Sequence, residues 1–211
     1  LKYYNNRKIN LQNEIDIIES LRLKITNSES IQELMGIEGN IKNHYYSTFK
    51  KIIDEKYDFS RRIKNPPNNI INTLISFGNS MTYSIVLNEI YHTQLNPLIS
   101  FLHEPGERRF SLSLDISEIF KPIFCDRIIF KLLNCNMLTE NHFESKLNYC
   151  YLKESGKKIF VKEFDEKINT IIQHRLLNKN VTYKKLIRLE CYKLIKHLLG
   201  EKKYQPFKIW W

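Results

Sequence analysis

Apolar residues recur at helical spacing along most of this 211-residue chain. Leu11, Ile15, Ile18 and Leu21 fall on roughly one face of the segment from Ile9 to Ile25, which predicts a first helix. Ser30-Ile31-Gln32-Glu33 has the capping-box pattern, a hydroxyl followed three residues later by a glutamate. It opens a second helix that reads on towards Ile53. Gly36 and Gly39 interrupt that helix, and each costs about 1 kcal/mol in a helix interior. A close approach of another backbone or of a ligand is the expected reason for them. The run SRRIKNPPNN at 60–69 is a break, with Pro66 and Pro67 ending one element and able to open the next. A long helix is predicted from about Asn68 to His92, with Ile71, Leu74, Ile75, Met81, Ile85 and Leu87 mostly inward. Asn96-Pro97 starts a turn, and the polar stretch His103 to Arg109, with Pro105 and Gly106, reads as a loop. Ser111 to Asn134 is helical again, kinked or restarted at Pro122.

Two readings compete between Tyr149 and Val161. Short apolar runs flank Glu154-Ser155-Gly156, which suits a hairpin, while a helix starting near Ser155 fits almost as well. A last helix runs from Tyr183 to Leu199 and is ended by Gly200 as a C-terminal cap. The aromatic tail YQPFKIWW is expected to dock against a neighbour. The pattern predicts a mainly α fold over residues 1–211, with an N-terminal helix in 1–27 and a helical core in 28–211.

An apolar fraction of 42% suffices for a core, and no run of eighteen apolar residues suggests a membrane span. The chain carries 33 basic against 23 acidic residues, a net charge of +10. Such an excess favours a polyanion partner, because each neutralised phosphate releases condensed counterions. A solvated basic surface without a ligand is the plain alternative. The 12 Tyr and 12 Phe can stack on bases, but most should be core. Cys125, Cys135, Cys150 and Cys191 form no C-x-x-C pair, so no zinc site is expected. Cys125 and Cys191 sit in apolar helical patterns and should pack as small hydrophobes. A reducing cytoplasm is the simplest context for such cysteines. The start, Leu1-Lys2-Tyr3-Tyr4, has neither Met nor a signal-peptide core, and reads as a piece whose N-terminal part is missing.

Three places hold acids or histidine where helix stability does not ask for them. Glu38 stands in Gly36-Ile37-Glu38-Gly39, sterically open to a phosphate–metal complex, or else simply solvent-facing. His103 ends the apolar run Phe101-Leu102 just before the loop; a satisfied surface or core histidine is the bland reading. Asp115 and Glu118 are spaced i,i+3, so one helix face presents both carboxylates. Their mutual repulsion would be reversed by a cation, although acids in a first helical turn also favour the helix dipole. Hard divalent ions such as Mg²⁺ take carboxylate oxygens, and Mn²⁺ also accepts imidazole.

Together these places resemble one family in order and local sequence, the CRISPR-associated integrases ("Cas one" family), nearest the subtype I-B branch. The segments that carry the resemblance are GIEGNIKNHYY, NPPNNIINTLISFGNSMTYS, SFLHEPGERRFSLSLDISEIFKP, FCDRIIFKLLN and VTYKKLIRLECYKLIKHLLGEKKYQPF. They span nearly the whole chain, and the family's small β-rich N-terminal domain has no counterpart in it. The resemblance implies a helical catalytic domain in which residues 1–27 link to that β-rich domain. It implies Glu38, His103 and Glu118 as metal ligands for Mg²⁺ or Mn²⁺, with Asp115 as a further catalytic residue, either ligand or supporting group. Many members have Asp where Glu118 stands, so the geometry there is less fixed.

The implied activity is that of a divalent-metal-dependent DNA endonuclease and strand-transfer integrase. It inserts captured fragments as new spacers in a CRISPR array by 3′-hydroxyl attack on a phosphodiester. The implied partners are double-stranded DNA, a second copy in a homodimer, the "Cas two" protein and, in subtype I-B systems, a "Cas four" nuclease, with no membrane. Arg61, Arg62, Lys64, Arg108, Arg109 and Lys121 are the candidate phosphate contacts. The alternatives are a non-catalytic basic DNA-binding or scaffolding module, which leaves the acid and histidine set unexplained, and a general metal-dependent repair nuclease.

Overall fold

The structure is a computed structural model that describes residues 9–103, 110–174 and 177–209. It is mainly α-helical, and the chain folds into two compact units. Unit 1 comprises residues 1–73 and 130–152; unit 2 comprises 74–129 and 153–211.

In unit 1, helix α1 (Gln12–Lys24) packs on α2 (Ile31–Ser47), which is followed by the short α3 (Phe49–Ile52). The capping pattern at Ser30 forms. Ser30 Oγ accepts the Glu33 N–H at 3.1 Å, and Glu33 Oε2 reaches back to the Glu29 N–H at 3.0 Å, one residue earlier than the standard box. The core centres on Phe49, which is fully buried and meets Phe130 edge to face at 4.8 Å between centroids. Burying a side chain of this size contributes about 2–3 kcal/mol. The strands β1 (Phe143–Lys146) and β2 (Tyr149–Leu152) form an antiparallel hairpin. It is tied down by the Cys150 N–H on the Pro67 carbonyl at 2.8 Å and by Thr73 Oγ1 on the Cys150 carbonyl at 2.7 Å.

Helix α4 (Ile70–Tyr91) begins in unit 1 and continues into unit 2. It is long and apolar enough to cross a membrane by length and composition. It is nevertheless a core helix of this fold, with Leu74, Ile75, Val86 and Ile90 fully buried. Met81, Ile85 and Leu87, expected inward, are only half-buried. At Gly78 the neighbours of α4 approach it closely. A Cβ there would lie 2.6 Å from Cys125 Sγ and 3.0 Å from Phe160 Cζ. The buried Glu89 accepts from Arg188 Nε at 2.7 Å, tying α4 to α8 (Tyr183–Leu198).

Helix α5 (Ser111–Lys121) runs through a π-helical turn at Pro122–Asp126 into α6 (Arg127–Asn134). The turn falls where Pro122, lacking an N–H, interrupts the α-helical ladder, as the sequence predicts. Glu154-Ser155-Gly156 opens α7 (Glu154–Asn169). The helical reading therefore holds there, and the hairpin lies just upstream. A second hairpin, β3 (Ile171–His174) with β4 (Lys179–Thr182), has no alternation that announces it. Helix α8 ends at Gly200, with φ +75°. The tail then folds back on its own unit. Tyr204 Oη and the Phe207 N–H both donate to Glu190 Oε1, at 2.6 and 3.1 Å, and Phe207 stacks on Phe120 at 6.0 Å. All four cysteines are free thiols; Cys125 and Cys191 are buried, as expected.

Candidate active site

The N-terminal half of α5 is buried on every side from Ser111 to Ser117. An aspartate in such a setting needs partners, and Asp115 finds four. Its Oδ2 accepts the backbone N–H groups of Phe101 at 2.8 Å and Leu102 at 3.1 Å. Its Oδ1 accepts the His103 N–H at 3.2 Å and faces His103 Nδ1 at 2.6 Å. The carboxylate thus sits inside the turn at 101–103, where three successive N–H groups converge on it. The rest of that turn is tied to the start of α5 as well. The Leu112 N–H donates to the Pro97 carbonyl at 3.1 Å, Ser111 Oγ donates to the Leu98 carbonyl at 3.2 Å, and Ser100 Oγ bonds the His103 carbonyl.

This geometry fixes the histidine. The Asp115 side chain has no solvent exposure, so its Oδ1 holds the proton on His103 Nδ1 and leaves Nε2 as the ring's lone-pair atom. The ring is 28% exposed. A carboxylate behind a histidine whose far nitrogen is available is the arrangement that orients metal-ligating imidazoles.

Glu118 follows Asp115 by one helical turn on α5 and is half-buried. It forms an ion pair with Lys121, whose ammonium also lies 4.7 Å from the centre of the Tyr83 ring. Glu38 belongs to unit 1, on α2, half-buried and paired with Lys42. A Cβ on Gly36 or Gly39 would meet nothing within 4 Å. Among the described residues, no other backbone therefore approaches the two glycines.

Of the predicted site residues, the fold brings His103 and Asp115 into contact and sets Glu118 on the same helix as Asp115. Among the described residues, no three or more His, Cys, Asp or Glu side chains gather closely enough to hold a metal ion. The donors fit such an ion in kind, since a preoriented imidazole nitrogen and carboxylate oxygens suit Mg²⁺ or Mn²⁺.

The candidate DNA contacts divide. Arg61 and Lys64 are exposed. Arg62 is half-buried, and its Nη1 donates to the Ile63 carbonyl at 2.6 Å, to the Asn72 carbonyl at 3.2 Å and to Asn72 Oδ1 at 3.1 Å. Lys121 is 11% exposed, between Glu118 and Tyr83. Arg108 and Arg109 lie outside the described residues. Sequence reasoning missed Tyr83 and the backbone N–H groups of Phe101 and Leu102. Nothing in the pattern marks Tyr83, whereas the acid inside Leu114-Asp115-Ile116 was a sign of buried partners.

The fold and site define a mainly helical protein with a carboxylate-held histidine, and comparison with known proteins narrows that class. Residues 1–166 match the family model described as "CRISPR associated protein Cas1", and the chain belongs to that family. It is 53% identical over 211 residues to a "CRISPR-associated endonuclease Cas1" of Fusobacterium nucleatum, covering 100% of this chain and 62% of that protein. It is 54% identical over 203 residues to one from Thermodesulfovibrio yellowstonii, covering 95% of this chain and 62% of that one. The chain thus spans about three fifths of the length of these curated relatives. Among solved structures, a Cas1 protein from Thermotoga maritima superposes with a TM-score of 0.85 at 40% identity, over 98% of this chain and 63% of that one. A casposase bound to integration product gives 0.83 at 25% identity, over 96% and 56%.

Proposed function

We propose that this chain carries the catalytic region of a divalent-metal-dependent DNA integrase and endonuclease that adds spacers to a CRISPR array. The observation that carries the reading is the His103–Asp115 pair, fully buried at its carboxylate and partly exposed at its imidazole, in a chain of the Cas1 family. Glu38, His103 and Glu118 would hold Mg²⁺ or Mn²⁺. Such an ion supplies Lewis-acid polarisation of a phosphodiester and stabilisation of charge on its oxygens. Asp115 does not ligate in this reading; both its oxygens are used to hold the turn and the imidazole.

In the reaction, the 3′-oxygen of a captured fragment bonds to phosphorus at the edge of a repeat. The bond from that phosphorus to the repeat strand's own 3′-oxygen breaks. The attacking hydroxyl loses a proton, and the departing 3′-oxygen gains one. One diester replaces another, so neither ATP nor a covalent enzyme intermediate is needed. Water in place of the hydroxyl gives endonucleolytic cleavage. Double-stranded DNA is the substrate, held by phosphate contacts from Arg61 and Lys64, joined by Arg108 and Arg109. Arg62 and Lys121 act first on their internal partners. A homodimer, Cas2 and Cas4 are the proposed protein partners, in a prokaryotic cytoplasm.

The test is strand transfer of a labelled fragment into repeat-containing DNA with Mn²⁺, using the full-length protein. Glu38→Ala and Glu118→Ala should each lower the rate by about 100-fold or more, and a chelator should abolish it. Undiminished joining by Glu38→Ala would sink the metal assignment and leave a non-catalytic DNA-binding scaffold.

A further inference from the structure

Among the described residues, three buried side-chain oxygens receive no hydrogen bond: Glu14 Oε2, Glu89 Oε1 and Asn79 Oδ1. Glu14 and Glu89 are carboxylates whose other oxygens serve Lys51 and Arg188. Asn79 has no charge to engage. Its buried carbonyl is a destabilising feature that packing alone does not account for.

The contacts on either side of Asn79 fix its place on α4. Cys125 Sγ lies 3.8 Å from the Ile75 carbonyl, and it is the atom that crowds Gly78. Further along α4, Lys121 Nζ lies 4.7 Å from the centre of the Tyr83 ring. The stretch from Ile75 to Tyr83 therefore runs against the stretch from Cys125 back to Lys121, all within unit 2. Asn79 falls between the two contacts. It precedes Tyr83 by one helical turn, so the two side chains are neighbours on one face of α4. The unpaired carbonyl thus stands one turn from the ring that Lys121 covers.

Lys121 is confined. Its side chain is 11% exposed, and its ammonium pairs with Glu118, the carboxylate read above as a metal ligand. A divalent cation on that carboxylate repels an ammonium held by the same group, and little water is present to screen the repulsion. At such low exposure, water does not replace the lost partner. The flexible lysine stem lets the head turn without the helix moving. On the facing side of α4, Asn79 Oδ1 is an acceptor not already engaged.

We propose that Asn79 is a positioning residue that receives the Lys121 ammonium when Glu118 turns to a divalent cation. The proposal rests on the reading of Glu118 as a metal ligand and names the group that frees it. Lys121 is then a built-in competitor of the cation, and Asn79 sets how readily it gives way. An amide suits the task. Its oxygen accepts an ammonium without adding a charge, whereas a carboxylate there would hold Lys121 permanently and attract the cation itself.

The experiment measures Mn²⁺ binding by the full-length protein without DNA, from the loss of the free ion's electron paramagnetic resonance signal. Asn79→Leu should bind Mn²⁺ about tenfold more weakly than wild type. It should melt no lower, because leucine buries no unpaired carbonyl. Lys121→Met should bind Mn²⁺ at least as tightly as wild type, since the competing ammonium is gone. In that background Asn79→Leu should have no further effect, which is the coupling a double-mutant cycle reads. Unchanged Mn²⁺ affinity in Asn79→Leu overturns the proposal. So does an equal weakening with and without Lys121, or a lower melting temperature in Asn79→Leu, either of which gives Asn79 a structural role only. Weaker binding by Lys121→Met also overturns it, and that variant decides the matter even where Asn79→Leu does not fold. Equal Mn²⁺ uptake by wild type and Glu118→Gln would instead remove Glu118 as a ligand, and this proposal with it.

Discussion

Asp115 holds His103 at two points, by its main-chain N–H at 3.2 Å and by its ring Nδ1 at 2.6 Å, both on Oδ1. Twelve residues separate the two in sequence. One buried carboxylate therefore fixes both where the histidine backbone runs and which nitrogen of its ring carries the proton. Helix α5 supplies the rigid end of this arrangement, since Asp115 lies on a stretch buried throughout. The exposed part of the pair is the imidazole, which is the part a reaction needs.

The first prediction follows from that division. Asp115→Asn keeps the shape but removes the charge, and its amide nitrogen cannot accept the N–H groups now pointing at the carboxylate. Strand transfer should fall by about 10–100-fold, as for other groups that orient a metal-ligating histidine. Asp115→Ala should add a loss of about 1–3 kcal/mol for each N–H left buried without a partner. Denaturant unfolding beside the activity assay separates the two effects. Full activity in Asp115→Asn would remove the orienting role.

Much of this was legible beforehand, and what was not has physical reasons. The helices announced themselves because a 3.6-residue period, a Ser30 cap, Pro122 and Gly200 are local features. The hairpin at 171–182 was missed because its strands expose most of their residues and show no apolar alternation. Asp115 was readable as chemically important but not as the anchor of a turn, since its partners at 101–103 are main-chain groups that any sequence has. Arg62 looked like Arg61 because charge counts do not reveal which guanidinium Asn72 engages.

That last pair makes the second prediction. Arg61→Ala should weaken DNA binding at low salt while leaving the melting temperature unchanged, because the side chain is exposed. Arg62→Ala should lower stability by about 1–3 kcal/mol, because it strips the Ile63 and Asn72 carbonyls and Asn72 Oδ1 of a charged donor. A combined substitution would mix the two effects. Gel shifts and thermal melts of the single variants separate them. Equal melting temperatures for both would show that the Arg62 bonds contribute nothing to stability.

The third concerns the cysteines and pH. Burial pushes the Cys191 thiol up to about 12, with the charges of Glu190 and Glu89 adding to the effect. A thiol whose folded value is raised stabilises the fold below its ordinary value, near 9, and that contribution is lost as pH climbs towards 12. At pH 8 Cys191 is therefore protonated and unreactive, while Cys135 is exposed. Iodoacetamide should modify Cys135 in the native protein and reach Cys125, Cys150 and Cys191 only after unfolding, as peptide mapping would show. Early labelling of Cys191 would mean that α8 opens far more readily than its packing suggests.

The glycines give the sharpest contrast, because the same substitution should act in opposite directions. Gly78→Ala drives a methyl to 2.6 Å from Cys125 Sγ and 3.0 Å from Phe160 Cζ, both buried, so the cost is that of overpacking, about 1–3 kcal/mol. Gly36→Ala and Gly39→Ala meet nothing within 4 Å and gain helix propensity, so each should stabilise α2 by up to about 1 kcal/mol. A fold selected for stability alone would have alanine at both positions. Among the described residues nothing occupies the surface beside Gly36 and Gly39. If DNA approaches there, the two alanine variants should melt higher than wild type yet join DNA more slowly, because each methyl stands where a phosphate approaches the carboxylate. Differential scanning fluorimetry read beside strand transfer decides the matter. Variants that are both more stable and fully active would show that the glycines guard no approach to Glu38.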